Sequence, residues 1–172
     1  MAKIELKNVA HSYSPDVENP EYALKKCNLS WKDGGRYAVL GPSGCGKTTM
    51  LNIMSGLVTP SEGAIKFDGV DITNMSTAER NIAQVFQFPV IYNTMTVAKN
   101  LGFPLLCRNY PKEVITKKVD QVAQTLGLGN LLNLRATKLT ADQKQLISLG
   151  RGLVREDVAA ILMDEPLTVI DP

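Results

Sequence analysis

Hydrophobic and polar positions alternate over residues 3–9, where Ile4, Leu6 and Val9 stand against Lys3, Glu5 and Lys7. A period of two predicts a half-buried strand. Residues 22–31 alternate again around Ala23 and Leu29, which predicts a second, antiparallel strand before the turn at Asp33, Gly34 and Gly35. Tyr37 to Leu40 is a short continuous apolar run, the pattern of a strand buried on both faces. A glycine-rich loop follows it, and Thr48 to Met54 reads as a helix. Thr59 to Gly63 breaks the chain before a strand at Ala64 to Phe67. Ser76 and Glu79 have capping-box spacing and predict a short helix, and Ile82 to Phe86 reads as another buried strand.

The period then changes. Ile115, Val119, Val122 and Leu126 form one helical stripe that Pro111 opens and Gly127 and Gly129 close. Thr140 to Val154 predicts a further helix with Leu146, Leu149 and Leu153 on one face. Val158 to Met163 is a buried strand that runs into Asp164, Glu165 and Pro166. The order is an α/β core, a helical insertion of roughly fifty to seventy residues, and a return to the core.

Composition narrows the reading. The chain has 172 residues, enough for one domain with a substantial core and an inserted subdomain. Its net charge of +2 is spread among acids and bases, so charge implies no nucleic-acid partner. Cys27, Cys45 and Cys107 are odd in number and far apart, which fits a reducing compartment better than a disulfide framework. The N-terminus lacks a signal-peptide pattern, and the run from Val158 to Met163 is too short to span a bilayer. A membrane role would need spans from other subunits.

Chemistry enters with G-x-x-x-x-G-K-[ST], present as Gly41, Pro42, Ser43, Gly44, Cys45, Gly46, Lys47 and Thr48, with Thr49 behind them. Glycines let backbone N–H groups approach phosphate oxygens, and a helix N-terminus favours the anion. Lys47 would reach the β and γ phosphates and Thr48 would ligate Mg²⁺. Ile161 to Glu165 ends an apolar strand in two acids; such an aspartate holds Mg²⁺ in phosphate-loop enzymes, and the second acid can polarise water.

Together these motifs make the chain similar to the ATP-binding cassette (ABC) ATPases over essentially its whole length. Gly41 to Thr49 resembles their Walker A, and Val85 to Gln87 their Q-loop, whose glutamine contacts Mg²⁺ and water. Leu162 to Pro166 resembles Walker B with Glu165 as catalytic glutamate, and Thr168 to Asp171 the D-loop. Tyr13 falls where the family places an aromatic that stacks on adenine. The resemblance implies a P-loop (RecA-like) α/β core with an N-terminal antiparallel β region, the core being residues 1–88 and 156–172. Residues 89–155 would form the helical and signature subdomain.

Two departures qualify it. The family's Leu-Ser-Gly-Gly-Gln signature aligns with Leu139, Thr140, Ala141, Asp142 and Gln143. Thr140 can donate a hydroxyl and Gln143 is retained, but Asp142 could bring like charge towards a triphosphate on an opposing subunit. Alternatively Asp142 turns outward and the loop still works. The switch histidine of the family lies beyond Pro172, so the resemblance implies an incomplete domain that alone hydrolyses little ATP. His11, the sole histidine, reads as an exposed loop residue. Met50, Met54, Met75, Met95 and Met163 read as core filler, and Cys45 as a small packed residue.

Residues 78–87 and 92–101 are similar to carbohydrate and polyol importers of the maltose and glycerol-phosphate type, with glycerol among the cargoes implied. The expected function is ATP hydrolysis driving import from the cytoplasmic face of the inner membrane. Partners would be transmembrane permease subunits, docked near Phe86 to Tyr92, and a second, non-identical ATPase subunit. A periplasmic or extracellular solute-binding protein would act indirectly. Two rivals stay open: a soluble ABC ATPase of repair or translation, and a regulatory module that no longer hydrolyses.

Overall fold

A computed structural model describes residues 1–168; Val169 to Asp171 of the expected D-loop lie outside them. β1 (Ile4–His11) pairs antiparallel with β2 (Leu24–Trp31) on one side and β3 (Glu62–Phe67) on the other, and β4 (Val70–Asp71) completes the order β2-β1-β3-β4. α1 (Lys47–Ser55) follows the glycine-rich loop. β5 (Ile82–Val85) and β6 (Ala160–Met163) make a separate two-stranded sheet. Between them come α2 (Val97–Leu106), α3 (Lys112–Thr125) and α4 (Ala141–Leu153). No described helix is long and apolar enough to cross a membrane.

Two units emerge from the packing: residues 1–82 with 157–162, and residues 83–156 with 163 onward. The core of the first gathers Ile4, Leu6 and Val9 of β1, Met50, Ile53 and Met54 of α1, and Ile65 and Phe67 of β3. That of the second gathers Val97 and Leu101 of α2, Val119 and Ala123 of α3, and Ile147 of α4.

Several expectations are corrected. Residues 37–40 form no strand, and the run is exposed, Leu40 to 91%. No described strand pairs with it, and an apolar run becomes a strand only against a ladder partner. The capping box at Ser76 forms, with Glu79 accepting from both the Ser76 N–H (2.9 Å) and hydroxyl (2.6 Å), yet it closes a turn rather than a helix. Asn81 turns left-handed at φ 51° two residues later, and β5 begins at once. His11 is buried, because β1 runs on to it and pairs it with Leu24. Met50 and Met54 are core, whereas Met75 and Met163 are exposed. Cys45 is exposed rather than packed.

α2 escapes the periodicity because Gly102 and Pro104 interrupt it. The glycine has a packing reason: a Cβ there would meet Ile115 Cγ2 of α3 at 2.8 Å. On α4 the leucine stripe is only half-buried. The deepest positions are Gln145, Ile147, Ser148, Gly150 and Gly152, and a Cβ on Gly150 would meet Leu101 Cδ2 of α2 at 2.5 Å.

A buried cation organises the first unit. The Arg80 guanidinium donates to the carbonyls of Ile53 (2.6 Å) and Met54 (3.1 Å) in the last turn of α1, and to those of Thr73 (2.7 Å) and Met75 (3.0 Å). Burial pushes its pKa down, but a guanidinium stays charged at neutral pH. Arg80→Met strips donors from four carbonyls at once and is expected to cost about 2–4 kcal/mol. Urea unfolding followed by circular dichroism checks this, and an unchanged midpoint would contradict the clasp.

Candidate functional site

In the first unit the loop 41–46 leads into α1 with Gly46 as N-cap. Gly46 sits at φ 94°, and a Cβ there would meet the Ala23 carbonyl at 2.5 Å, so only glycine lets the loop lie against the residue before β2. No side chain caps α1 and its first turn holds no acid. The leading N–H groups are thus left for an anion. The Lys47 ammonium donates to the carbonyls of Gly41 (2.8 Å) and Pro42 (2.9 Å), which folds it back across the loop it serves. Gly41, Pro42, Ser43, Gly44 and Thr48 are exposed, whereas Thr49 is buried at the foot of the helix. A triphosphate therefore fits these residues: an uncapped helix end, a wrapped loop and a held cation.

Tyr13 follows β1 and is 64% exposed, with its hydroxyl 3.4 Å from Thr49 Oγ1. Its ring packs edge-on against His11, centroids 4.6 Å apart. His11 is fixed in turn through Nδ1 and Ser61 Oγ at 3.2 Å. Beside Ser61, the Glu62 carboxyl is held below the usual carboxylate range by hydrogen bonds from Lys26 and Tyr22. An exposed ring, fixed at its edge and leaning over α1, offers a face to a planar base.

In the second unit the Asp164 N–H bonds the Val85 carbonyl at 2.9 Å, which aligns the end of β6 with the end of β5. Two residues past Val85, Gln87 donates through Nε2 to Glu165 Oε2 at 3.1 Å. Asp164 is buried to 8% exposure, while Glu165 is exposed. Glu165 lies at φ 44°, a left-handed conformation costing a non-glycine residue on the order of 1–3 kcal/mol. Its carbonyl accepts from Thr168 Oγ1 at 3.0 Å. An acid of this kind, with an amide oriented against it, can take a proton from water.

α4 begins with a closed capping box. Thr140 Oγ1 accepts from the Gln143 N–H (3.3 Å), and Gln143 Oε1 accepts from the Thr140 N–H (3.1 Å). Asp142 stands in the first turn, where the helix field favours an acid. The sequence reading missed Gln145, a fully buried amide that donates to the carbonyls of Phe86 and Pro166. Its signal was present: it shares a face with Ser148 and Gly152, a small-residue stripe at helical spacing.

Comparison with known proteins agrees with this chemistry. A family model described as ABC transporter matches residues 24–168. The chain is 39% identical over 171 residues to the sn-glycerol-3-phosphate import ATP-binding protein of Rhizobium etli, covering 99% of this chain and 48% of that one. It is 40% identical to the trehalose import ATP-binding protein of Mycobacterium tuberculosis, covering 99% and 42%. The chain thus spans about half the length of the curated relatives it matches. Among solved structures, a dimeric ATP-binding cassette in a post-hydrolysis state with ADP and Pi superposes with a TM-score of 0.85 at 30% identity, covering 98% and 76%. The ADP conformation of another transporter cassette gives 0.81 at 27%, covering 100% and 72%.

Lys47→Ala is expected to weaken MgATP binding by about 30-fold or more, since a charge-assisted contact of roughly 2 kcal/mol or more is lost. Titration with a fluorescent ATP analogue checks it; unchanged affinity would remove Lys47 from the phosphate site.

Proposed function

The chain belongs to the ABC transporter ATPase family, and from that premise we propose that it binds MgATP and hydrolyses it to drive solute import. The observation that carries the reading is the Lys47 ammonium held on the carbonyls of Gly41 and Pro42 beneath an uncapped α1, a cradle shaped for phosphate. Lys47 and the amides of Gly44 to Thr49 bind the phosphates, and Tyr13 stacks on the base. Thr48, Asp164 and Gln87 would hold Mg²⁺, which neutralises phosphate charge when bound. With the Gln87 nitrogen committed to Glu165, its oxygen would be the atom available to the cation. Glu165 takes a proton from the attacking water, whose oxygen forms the new bond to the γ-phosphorus. The bond from that phosphorus to the bridging oxygen breaks, its electron pair stays with ADP, and Lys47 offsets the charge that develops there.

The relatives bear on cargo and location. Those compared are import subunits for sn-glycerol 3-phosphate and trehalose, which supports a sugar or polyol cargo and a peripheral position at the cytoplasmic face of the membrane. Permease subunits would dock on the apolar stretch around Phe88, 74% exposed, with Val90 and Tyr92 beside it. A solute-binding protein would act through them.

The partner ATPase is non-identical. Composite sites in this family set the phosphate loop of one subunit against the signature of the other. Here the Thr140 N–H is already bonded to Gln143, and Asp142 adds negative charge to the same turn. A γ-phosphate would meet a spent donor and a like charge, so a partner with a glycine-bearing signature completes the site on Lys47 and Glu165.

Glu165→Gln is expected to lower turnover in the assembled transporter by at least about a hundredfold while ATP still binds, because an amide keeps the shape but cannot act as a base. The same exchange in the partner subunit is expected to be milder. Steady-state ATPase assays of each single variant decide both points: near-normal turnover with Glu165→Gln would move the base elsewhere. A fully active homodimer hydrolysing at both sites would refute the non-identical partner.

A further inference from the structure

Gln145 is 0% exposed on α4, and its amide nitrogen donates to the carbonyls of Phe86 at 3.3 Å and Pro166 at 2.9 Å. Phe86 immediately precedes Gln87, and Pro166 immediately follows Glu165. One carboxamide therefore clamps the two backbone segments whose side chains meet at 3.1 Å. Its orientation is dictated, because reversed it would set an oxygen against two carbonyl oxygens. In the observed orientation Oε1 is buried without a hydrogen-bond partner. A buried amide with an orphan acceptor is a poor choice for packing alone, where an apolar side chain of similar volume leaves nothing unpaired.

The backbone that Gln145 grips is the strained one. Glu165 holds φ 44°, and such a conformation persists only where its surroundings over-determine it. Thr168 Oγ1 bonds the Glu165 carbonyl on the exposed side. Gln145 bonds the next carbonyl from the interior. The same side chain sits within the first two turns of the helix capped by Thr140. We propose that Gln145 is a positioning residue for hydrolysis, holding Glu165 against Gln87 and tying that pair to α4. The inference rests on the assignment of Glu165 as base made above. A shift at the Thr140 end of α4 then reaches Glu165 through one rigid side chain.

The test compares Gln145→Met, which offers no donor, with Gln145→Glu, which keeps the shape and offers at most one. Both are made in the assembled transporter beside Glu165→Gln, and turnover is measured together with the Kd for MgATP. Gln145→Met is expected to lower kcat by about tenfold or more, the scale of a small misplacement in a catalytic site. Gln145→Glu, which sets a carboxyl oxygen against at least one of the two carbonyls, should lower it at least as much, and Kd should stay within about twofold for both. Unchanged kcat in Gln145→Met overturns the proposal, and so does a parallel loss of binding and turnover, the mark of a merely structural role. Where Gln145→Met fails to assemble, Gln145→Glu decides alone: wild-type kcat refutes the proposal, and lowered kcat at constant Kd supports it. If Glu165→Gln leaves turnover intact, the base assignment falls and this inference with it. If Glu165→Gln stops turnover and Gln145→Met does not change it, only the inference falls.

Discussion

Backbone carbonyls that end a helix or a strand must find donors once they are shielded from water, and among the described residues Arg80, Asn100 and Gln145 are buried polar side chains that meet that demand. Arg80 covers the last carbonyls of α1 and the turn beyond β4. Asn100, fully buried on α2, accepts the Tyr92 N–H at 2.8 Å and donates to the carbonyls of Tyr92 and Thr96. Gln145 covers Phe86 and Pro166. Each serves backbone at the end of an element or in a turn, and each belongs to one unit alone. Irregular backbone is also where the chemistry lies. Polar burial and function are therefore one problem here, because the segments that must depart from regular structure to present Lys47, Gln87 or Glu165 also leave carbonyls unpaired.

The two halves of the chemistry are prepared differently. The phosphate loop is permissive: its helix end is uncapped, its first turn lacks acid, and its lysine is folded onto its own carbonyls until phosphate competes for it. The α4 N-terminus is the opposite. There a capping box satisfies the N–H groups of Thr140 and Gln143, and Asp142 adds negative charge to the first turn. Two helix ends with the same sense of backbone dipole thus differ in their appetite for an anion through the cap and the charge that their side chains supply.

Much of the architecture was legible in the sequence, and the reasons are local. The alternation at residues 4–9 and the stripe from Ile115 to Leu126 report periods set by the backbone itself, and both elements formed. The helix expected over Thr140 to Val154 from the spacing of Leu146, Leu149 and Leu153 also formed, as α4. Misreadings arose where the outcome depends on remote partners. Residues 37–40 have strand-like content, yet no described ladder receives them. α2 hides behind Gly102, whose purpose is visible only once α3 lies against it. The Gln87–Glu165 contact spans 78 residues and has no local signature. Gln145 was overlooked although it shares a helix face with Ser148 and Gly152, since a buried amide is unremarkable until the carbonyls it meets are known.

The left-handed Glu165 carries a consequence for anyone engineering this chain. Replacing it by glycine or asparagine would relax the backbone, and a screen for thermal tolerance would reward the exchange. The same screen would discard the one carboxylate set against Gln87. Robustness and turnover pull in opposite directions at this single position. Directed evolution that scores only soluble yield would therefore drift towards an inert binder of nucleotide.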